Sequence, residues 1–221
     1  MKSLEEASRI SIAEVIRNAR VFNLKNWNKG AMDIESLPEM VAGLFGLLYE
    51  RKVDYLLVGG VALLQYVEGR NTEDIDLILA LDSLTRLPEI TIENRDGDFA
   101  HGRFGELKMD FLLTENRFFD EVRRRHAAVR RFSTETVHCA TVEGLVVLKL
   151  YALPSLYRQG NFARVGLYEN DIATLIREYK PNTDALLAEL QPHLSDSDLA
   201  AVRRIVSEIR QRIDRFEQPP F

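Results

Sequence analysis

Two apolar segments of the chain carry charged residues at alternating positions, and that pattern constrains the fold to one built around a sheet. Glu73-Asp74-Ile75-Asp76-Leu77-Ile78-Leu79 and Leu107-Lys108-Met109-Asp110-Phe111-Leu112-Leu113 both have the composition and alternation of strands. Side chains two apart on a strand share a face, so Asp74 and Asp76 project together while Ile75 packs the other way. Asp110 stands alone in a strongly apolar run. A buried carboxylate without a partner is costly, so Asp110 calls for a cation, a hydrogen-bond donor or water.

The rest of the chain supports a mixed sheet. Asp54 to Val58 is a short apolar run closed by Gly59-Gly60, which reads as a buried strand and a tight turn, and Val61 to Val67 reads as helical. Shorter strands are expected over 88–96 and 136–140, and a helix over 116–126. Ahead of these, residues 1–22 have helical spacing, 23–35 read as a loop around Trp27, and a helix is expected from Ser36 to about Arg51. Beyond residue 133 the pattern is mostly helical, with helices expected near 141–153, 168–179, 183–191 and 196–216. The expected architecture is α/β (α+β): an N-terminal helix and loop over 1–35, a core with a mixed sheet over 36–132, and a helical region over 133–221.

Composition excludes several classes. Lys and Arg total 29 against 34 Asp and Glu, for a formal net charge of -5, so generic coating of a nucleic-acid duplex is out and any such contact needs a local patch. The single cysteine, Cys139, excludes an intramolecular disulfide framework and a multi-cysteine metal site. The least interrupted apolar stretch, Tyr55 to Val67, is shorter than the ~20 residues a membrane span needs. The opening Met-Lys-Ser-Leu-Glu-Glu lacks the basic-then-apolar order of a secretion signal, so a soluble, cytoplasmic protein with no membrane partner is expected.

Three features converge on one chemistry. Gly59-Gly60 between strand and helix lets a backbone approach a phosphate closely, although a simple turn explains a glycine pair as well, and the dinucleotide-binding fingerprint is not met. Asp74 and Asp76 repel each other, and a divalent cation such as Mg²⁺ relieves that repulsion; a solvated strand face is the bland alternative. If the 107–113 strand lies beside 74–79, Asp110 joins them in a three-carboxylate cluster able to hold two Mg²⁺ ions. If it is an edge strand, Glu106, Lys108 and Asp110 simply meet water.

Together these residues resemble the nucleotidyltransferase superfamily of DNA polymerase beta: a glycine pair, a short helix, Asp-apolar-Asp and a later strand aspartate. Thirteen residues separate Gly60 from Asp74, at the long end of that pattern, and Gly60 stands where the family often has serine. Arg70-Asn71-Thr72-Glu73-Asp74-Ile75-Asp76 is similar to a run carried by small bacterial members. The closer resemblance, over roughly 53–178, is to AbiEii-like toxins of type IV toxin–antitoxin systems. Lys149 within Thr141 to Ala152 matches their lysine, and Asp171 within Tyr168 to Leu175 matches their aspartate. The resemblance implies that Asp74, Asp76 and Asp110 ligate metal and that Asp110 serves as base for the incoming hydroxyl. It implies that Lys149 contacts the triphosphate, with Asp171 orienting it or touching substrate, and that Gly59, Gly60, Arg70 and Thr72 line the nucleotide; an ordinary structural ion pair on a helical bundle is the bland alternative for Lys149 and Asp171.

The activity so implied is Mg²⁺-dependent transfer of a nucleoside monophosphate from an NTP to a hydroxyl, with RNA, particularly a tRNA 3′ end, as acceptor, and an antitoxin as a possible partner. The alternatives are an adenylyltransferase acting on a protein or small molecule, and a silent nucleotide-binding or interaction module. Arg123, Arg124, Arg125, Arg130 and Arg131 form the densest cationic run, read either as an RNA-backbone patch or as a solvated helix end. His101, His126, His138 and His193 lack metal-ligand spacing and read as structural or solvent-facing. Cys139 reads as a core thiol.

Overall fold

The computed structural model describes residues 11–21, 37–67, 72–132 and 135–217. The chain divides into two compact units, Met1–Ala140 and Thr141–Phe221. The boundary expected at 132/133 precedes the strand Glu135–Ala140, which belongs to the first unit.

The first unit runs α1 (Ile12–Val21), α2 (Leu37–Glu50), β1 (Tyr55–Val58), α3 (Gly59–Leu63), β2 (Asp74–Leu79), α4 (Leu81–Thr85), β3 (Ile90–Asp96), β4 (Phe99–Phe104), β5 (Leu107–Leu113), α5 (Arg117–Arg125), β6 (Ala127–Phe132) and β7 (Glu135–Ala140). The strands form one seven-stranded mixed sheet in the order β3-β4-β5-β2-β1-β7-β6. β2 runs parallel to β5 and antiparallel to β1, so the two acid-bearing strands are neighbours. Sequence reading missed β4 and β6. β4 carries Gly102 and Arg103 in a short Phe-Ala-His-Gly-Arg-Phe segment with no clean alternation, and its strand state comes from pairing on both sides with β3 and β5.

Burial separates the two sheet faces. Along β5, Leu107, Met109, Phe111 and Leu113 are buried, while Lys108, Asp110 and Leu112 are half-buried. The fully buried face continues through Ile75, Leu77 and Leu79 of β2, and α2 lies against it, with Met40 beside Gly105 and Gly43 beside Phe104. On the opposite face α5 covers one end, where Phe119 meets Phe99 edge-on at 5.5 Å. The other end of that face carries the acids. α3 begins at Gly59, so the glycine pair forms the first turn of a five-residue helix, and residues 64–66 are a turn rather than its continuation.

The second unit is helical: α6 (Val142–Arg158), α7 (Phe162–Tyr179), α8 (Thr183–Leu190), a short 3-10 turn (Gln191–His193) and α9 (Asp196–Glu217). Side-chain caps set the starts of three of them. Thr141, Asn161 and Asn182 accept from the backbone N–H groups of Gly144, Arg164 and Ala185. α6 passes through Pro154 instead of ending at 153, because a proline removes one helical hydrogen bond while Leu153, Pro154 and Leu156 stay buried. α7 starts at Phe162, ahead of the expected 168, where the Asn161 cap sets it. Tyr157 of α6 donates to Glu169 of α7 at 2.5 Å, and that carboxylate holds the phenol proton, pushing its pKa up to about 12. Among the described residues no helix is long and apolar enough to cross a membrane.

Candidate active site

Register places the acids together. Asp76 and Asp110 are direct partners on the parallel strands β2 and β5, and Asp74 is the partner of Lys108 one pleat away. Neighbouring strands lie about 4.8 Å apart and paired residues share a face, so Asp74, Asp76 and Asp110 project from the same side of the sheet. Three rows cross that face in order: Asp74, Lys108 and Arg103; then Val58, Asp76, Asp110 and His101; then Leu56, Ile78, Leu112 and Phe99. The face grades from charged to apolar, with the acids at its open end.

The glycine pair has a tight local reason. Gly59 has φ +66°, and a Cβ built on it would fall 1.9 Å from Asp76 Oδ2. A Cβ on Gly60 would fall 2.6 Å from Thr72 Oγ1. What approaches these glycines in the structure is therefore the Asp76 carboxylate and the Thr72 side chain. The Gly60 N–H lies 3.4 Å from Asp76 Oδ2, a long contact that turns this carboxylate toward the start of α3. Thr72 Oγ1 in turn donates to the Asp74 carbonyl at 3.3 Å. Arg70 lies outside the described residues, as do the expected Ser36 helix start and the Trp27 loop.

Asp110 has a partner that the sequence did not reveal. His101 on β4 is its register partner, and the imidazole Nδ1 lies 2.7 Å from Asp110 Oδ1. The sequence reading left His101 structural or solvent-facing. Because β4 went unrecognised, the pairing that brings the imidazole to the acid had no signal in the spacing of either residue.

As a donor set, three carboxylates on one face suit a hard cation such as Mg²⁺. The cradle over Gly59, where only hydrogen leaves room for the Asp76 carboxylate, is a built feature that fits such a site. In the rotamers present, Asp76 leans to Gly60 and Asp110 to His101. Among the described residues no group of three or more His, Cys, Asp or Glu side chains closes on a single point. Gathering the acids around an ion takes side-chain rotation on a backbone that already aligns them.

Lys149 and Asp171 lie in the helical unit and meet each other: Nζ to Oδ2 is 2.9 Å, with side-chain exposures of 8% and 0%. The Lys149 ammonium also sits 4.2 Å from the centre of the Tyr168 ring, and Arg164 stacks on that ring at 5.8 Å. The arginine run is internally committed. Arg123 pairs with Asp54 and Asp120, Arg124 with Asp120 at 2.5 Å, and Arg125 approaches Glu121 at 3.9 Å. Arg130 reaches the Tyr66 hydroxyl at 3.5 Å. Cys139 is fully buried in β7, and burial pushes its pKa up to about 12, which makes it a core thiol.

No family model and no curated protein matches the sequence. Among solved structures, the chain is similar to an antigenic nucleotidyltransferase-like protein from Paracoccidioides brasiliensis, at 16% identity over 89% of this chain and 94% of that one, with a TM-score of 0.48. It is also similar to the antibiotic-resistance factor ANT(2'')-Ia. The solution structure of that protein matches at 14% identity over 70% of this chain and 97% of its own, with a TM-score of 0.41. Its crystal structure in complex with adenylyl-2''-tobramycin matches at 11% identity over 75% and 96%, with a TM-score of 0.45. Likeness at this level does not assign an activity.

Proposed function

We propose that the sheet unit is the core of a nucleotidyltransferase that moves a nucleoside monophosphate from an NTP to a hydroxyl and releases pyrophosphate. The observation that carries this reading is the convergence of Asp74, Asp76 and Asp110 on one sheet face with the Gly59-Gly60 cradle. Two carboxylates held about 5 Å apart repel by about 1–3 kcal/mol across the range from water to a partly buried site. A site that gathers such repulsion is suited to recruit a divalent cation.

Asp74, Asp76 and Asp110 would hold Mg²⁺, which when bound neutralises charge on the α-phosphate and the leaving pyrophosphate. Asp76, wedged over Gly59, is fixed at the start of α3. Thr72 sets its hydroxyl against Gly60, in place of a side chain there, where it would donate to a phosphate oxygen beside the Gly60 N–H on releasing the Asp74 carbonyl. Asp110 takes the proton of the acceptor hydroxyl as its oxygen attacks the α-phosphorus. Within the helical unit, Asp171 orients Lys149. The resemblance points to RNA as acceptor, with a toxin role in the cytoplasm opposed by an antitoxin. A second reading, transfer to a small molecule or a protein side chain, is favoured by the arginine run, whose members at 123–125 are tied to Asp54, Asp120 and Glu121.

The test incubates purified protein, Mg²⁺ and each α-labelled NTP with total cellular RNA, beside the Asp74→Ala/Asp76→Ala double variant. Label in tRNA-sized bands with the wild type alone supports RNA transfer. Label on protein or on added small hydroxyl compounds selects the second reading. Full transfer by Asp76→Asn would overturn the mechanism. Charge reversal at Arg124 and Arg131 should cut RNA labelling and spare a small-molecule reaction.

A further inference from the structure

We infer that His101 is the positioning residue of Asp110, holding the acid that takes the acceptor proton; this rests on the nucleotidyl-transfer reading above. His101 Nδ1 lies 2.7 Å from Asp110 Oδ1, and the two side chains are 50% and 32% exposed, so the contact sits at the open end of the acidic face rather than in the core. An ionised carboxylate only accepts hydrogen bonds, so the ring nitrogen that faces it carries the hydrogen. The pairing therefore places a hydrogen on Nδ1.

Asp110 has Asp76 as its register partner on one side and His101 on the other. Repulsion from Asp76 and attraction from His101 act in the same direction on the carboxylate and commit Oδ1 to β4. Oδ2 is the oxygen left for the reaction. In the transfer step the acceptor O–H bond breaks with its proton passing to Asp110 Oδ2. A bond forms from the acceptor oxygen to the α-phosphorus, and the bond from the α-phosphorus to the bridging oxygen of pyrophosphate breaks, its electron pair leaving with pyrophosphate. His101 neither gains nor loses a proton. It holds Asp110 Oδ1 toward β4 and leaves Oδ2 free to turn to an ion or a proton, a support worth about 10–100-fold where an outer-shell partner orients a ligating carboxylate.

The contact depends on Nδ1, so two conservative replacements separate it from mere bulk. The amide nitrogen of His101→Asn falls near the Nδ1 position, while that of His101→Gln falls near Nε2. With Mg²⁺, labelled NTP and the acceptor identified by the RNA and small-molecule screen, His101→Ala should lower kcat about 10–100-fold. Its KM for NTP, and Mn²⁺·ATP binding followed by electron paramagnetic resonance, should stay within about twofold of wild type. His101→Asn should restore most of the rate and His101→Gln should not. A long-range ¹H–¹⁵N spectrum of the imidazoles should show His101 as the Nδ1-protonated form in the wild type and lose that signature in Asp110→Ala.

A wild-type rate in His101→Ala, equal rescue by asparagine and glutamine, or an Nε2-protonated His101 overturns the proposal while leaving nucleotidyl transfer standing. A wild-type protein that neither binds Mn²⁺·ATP nor transfers any label removes the functional reading, and the proposal falls with it.

Discussion

In the sheet unit three carboxylates of one sign share a face that is part open to water, whereas in the helical unit one carboxylate and one ammonium are closed off from it together. Asp74, Asp76 and Asp110 are all half-buried; among the described residues His101 faces Asp110, and Lys108 and Arg103 share the face, Lys108 pairing with Glu73 at 3.3 Å. Lys149 and Asp171 oppose each other's charge at 2.9 Å. A balanced buried pair serves the fold, because opening it strands a charge in a low-dielectric interior. A row of like charges contributes repulsion to the fold, and on the reading proposed above a cation would offset it. Removing one acid from each region should therefore have opposite consequences for stability and activity.

The largest effect is expected at Asp76. On the proposed reading Asp76→Asn should cut NMP transfer about a thousandfold or more, because it removes a charge that would hold the metal, while thermal stability stays within about 0.5 kcal/mol or rises as repulsion is relieved. Transfer assays set beside calorimetric melting check both halves, and a large fall in melting temperature would break the contrast. Asp171→Ala should do the reverse to the fold, destabilising it by about 3–5 kcal/mol by leaving the Lys149 ammonium buried without its partner. The double variant Lys149→Met/Asp171→Leu should recover most of that loss in denaturant titrations. If it does not, the pair is held for more than charge balance.

A smaller effect is expected where the acid meets the backbone. Gly59→Ala adds a Cβ 1.9 Å from Asp76 Oδ2 at a φ of +66°, so it should cost more than about 1–2 kcal/mol and lower transfer with it. The smallest tests concern groups that belong to neither region's charge pattern. Cys139, raised to about 12 from an ordinary value of 9.0, favours the fold fully below pH 9. That contribution is lost as pH climbs toward 12, because the unfolded thiol ionises first. Unfolding titrations between pH 8 and 11 should show a decline of up to about 1 kcal/mol per pH unit that Cys139→Ala flattens. Arg117→Ala, which removes an exposed pair with Glu121, should change stability by less than about 0.5 kcal/mol.

Much of this arrangement was legible in the chain, and the parts that were not share a physical cause. β1, β2 and β5 announce themselves because their apolar runs alternate with acids or end in glycine, and those strands carry Asp74, Asp76 and Asp110. β4 and β6 did not. Phe99-Ala100-His101-Gly102-Arg103-Phe104 has little intrinsic strand preference, and Ala127 to Phe132 is an edge strand with arginines; both take their state from neighbours. With β4 unseen, His101 was a scattered histidine. Helix ends were misjudged at Pro154 and Phe162 for a related reason, since burial and a side-chain cap outweighed local preference. The glycine pair was found, but its immediate neighbours, Asp76 and Thr72, are a property of the folded chain.

The turn at Gly105-Glu106, where Phe104 and Leu107 are the last paired residues and Gly105 takes a φ of +55°, acts as a ruler for the chemistry several residues away. Strand faces alternate with every residue, so one residue inserted at this turn would slide β4 by one position, send His101 toward the face that α2 covers and bring Ala100 or Gly102 opposite Asp110. Along a lineage, then, the two ends of this hairpin should tolerate exchanges of residue type far more readily than a change of a single residue in its length.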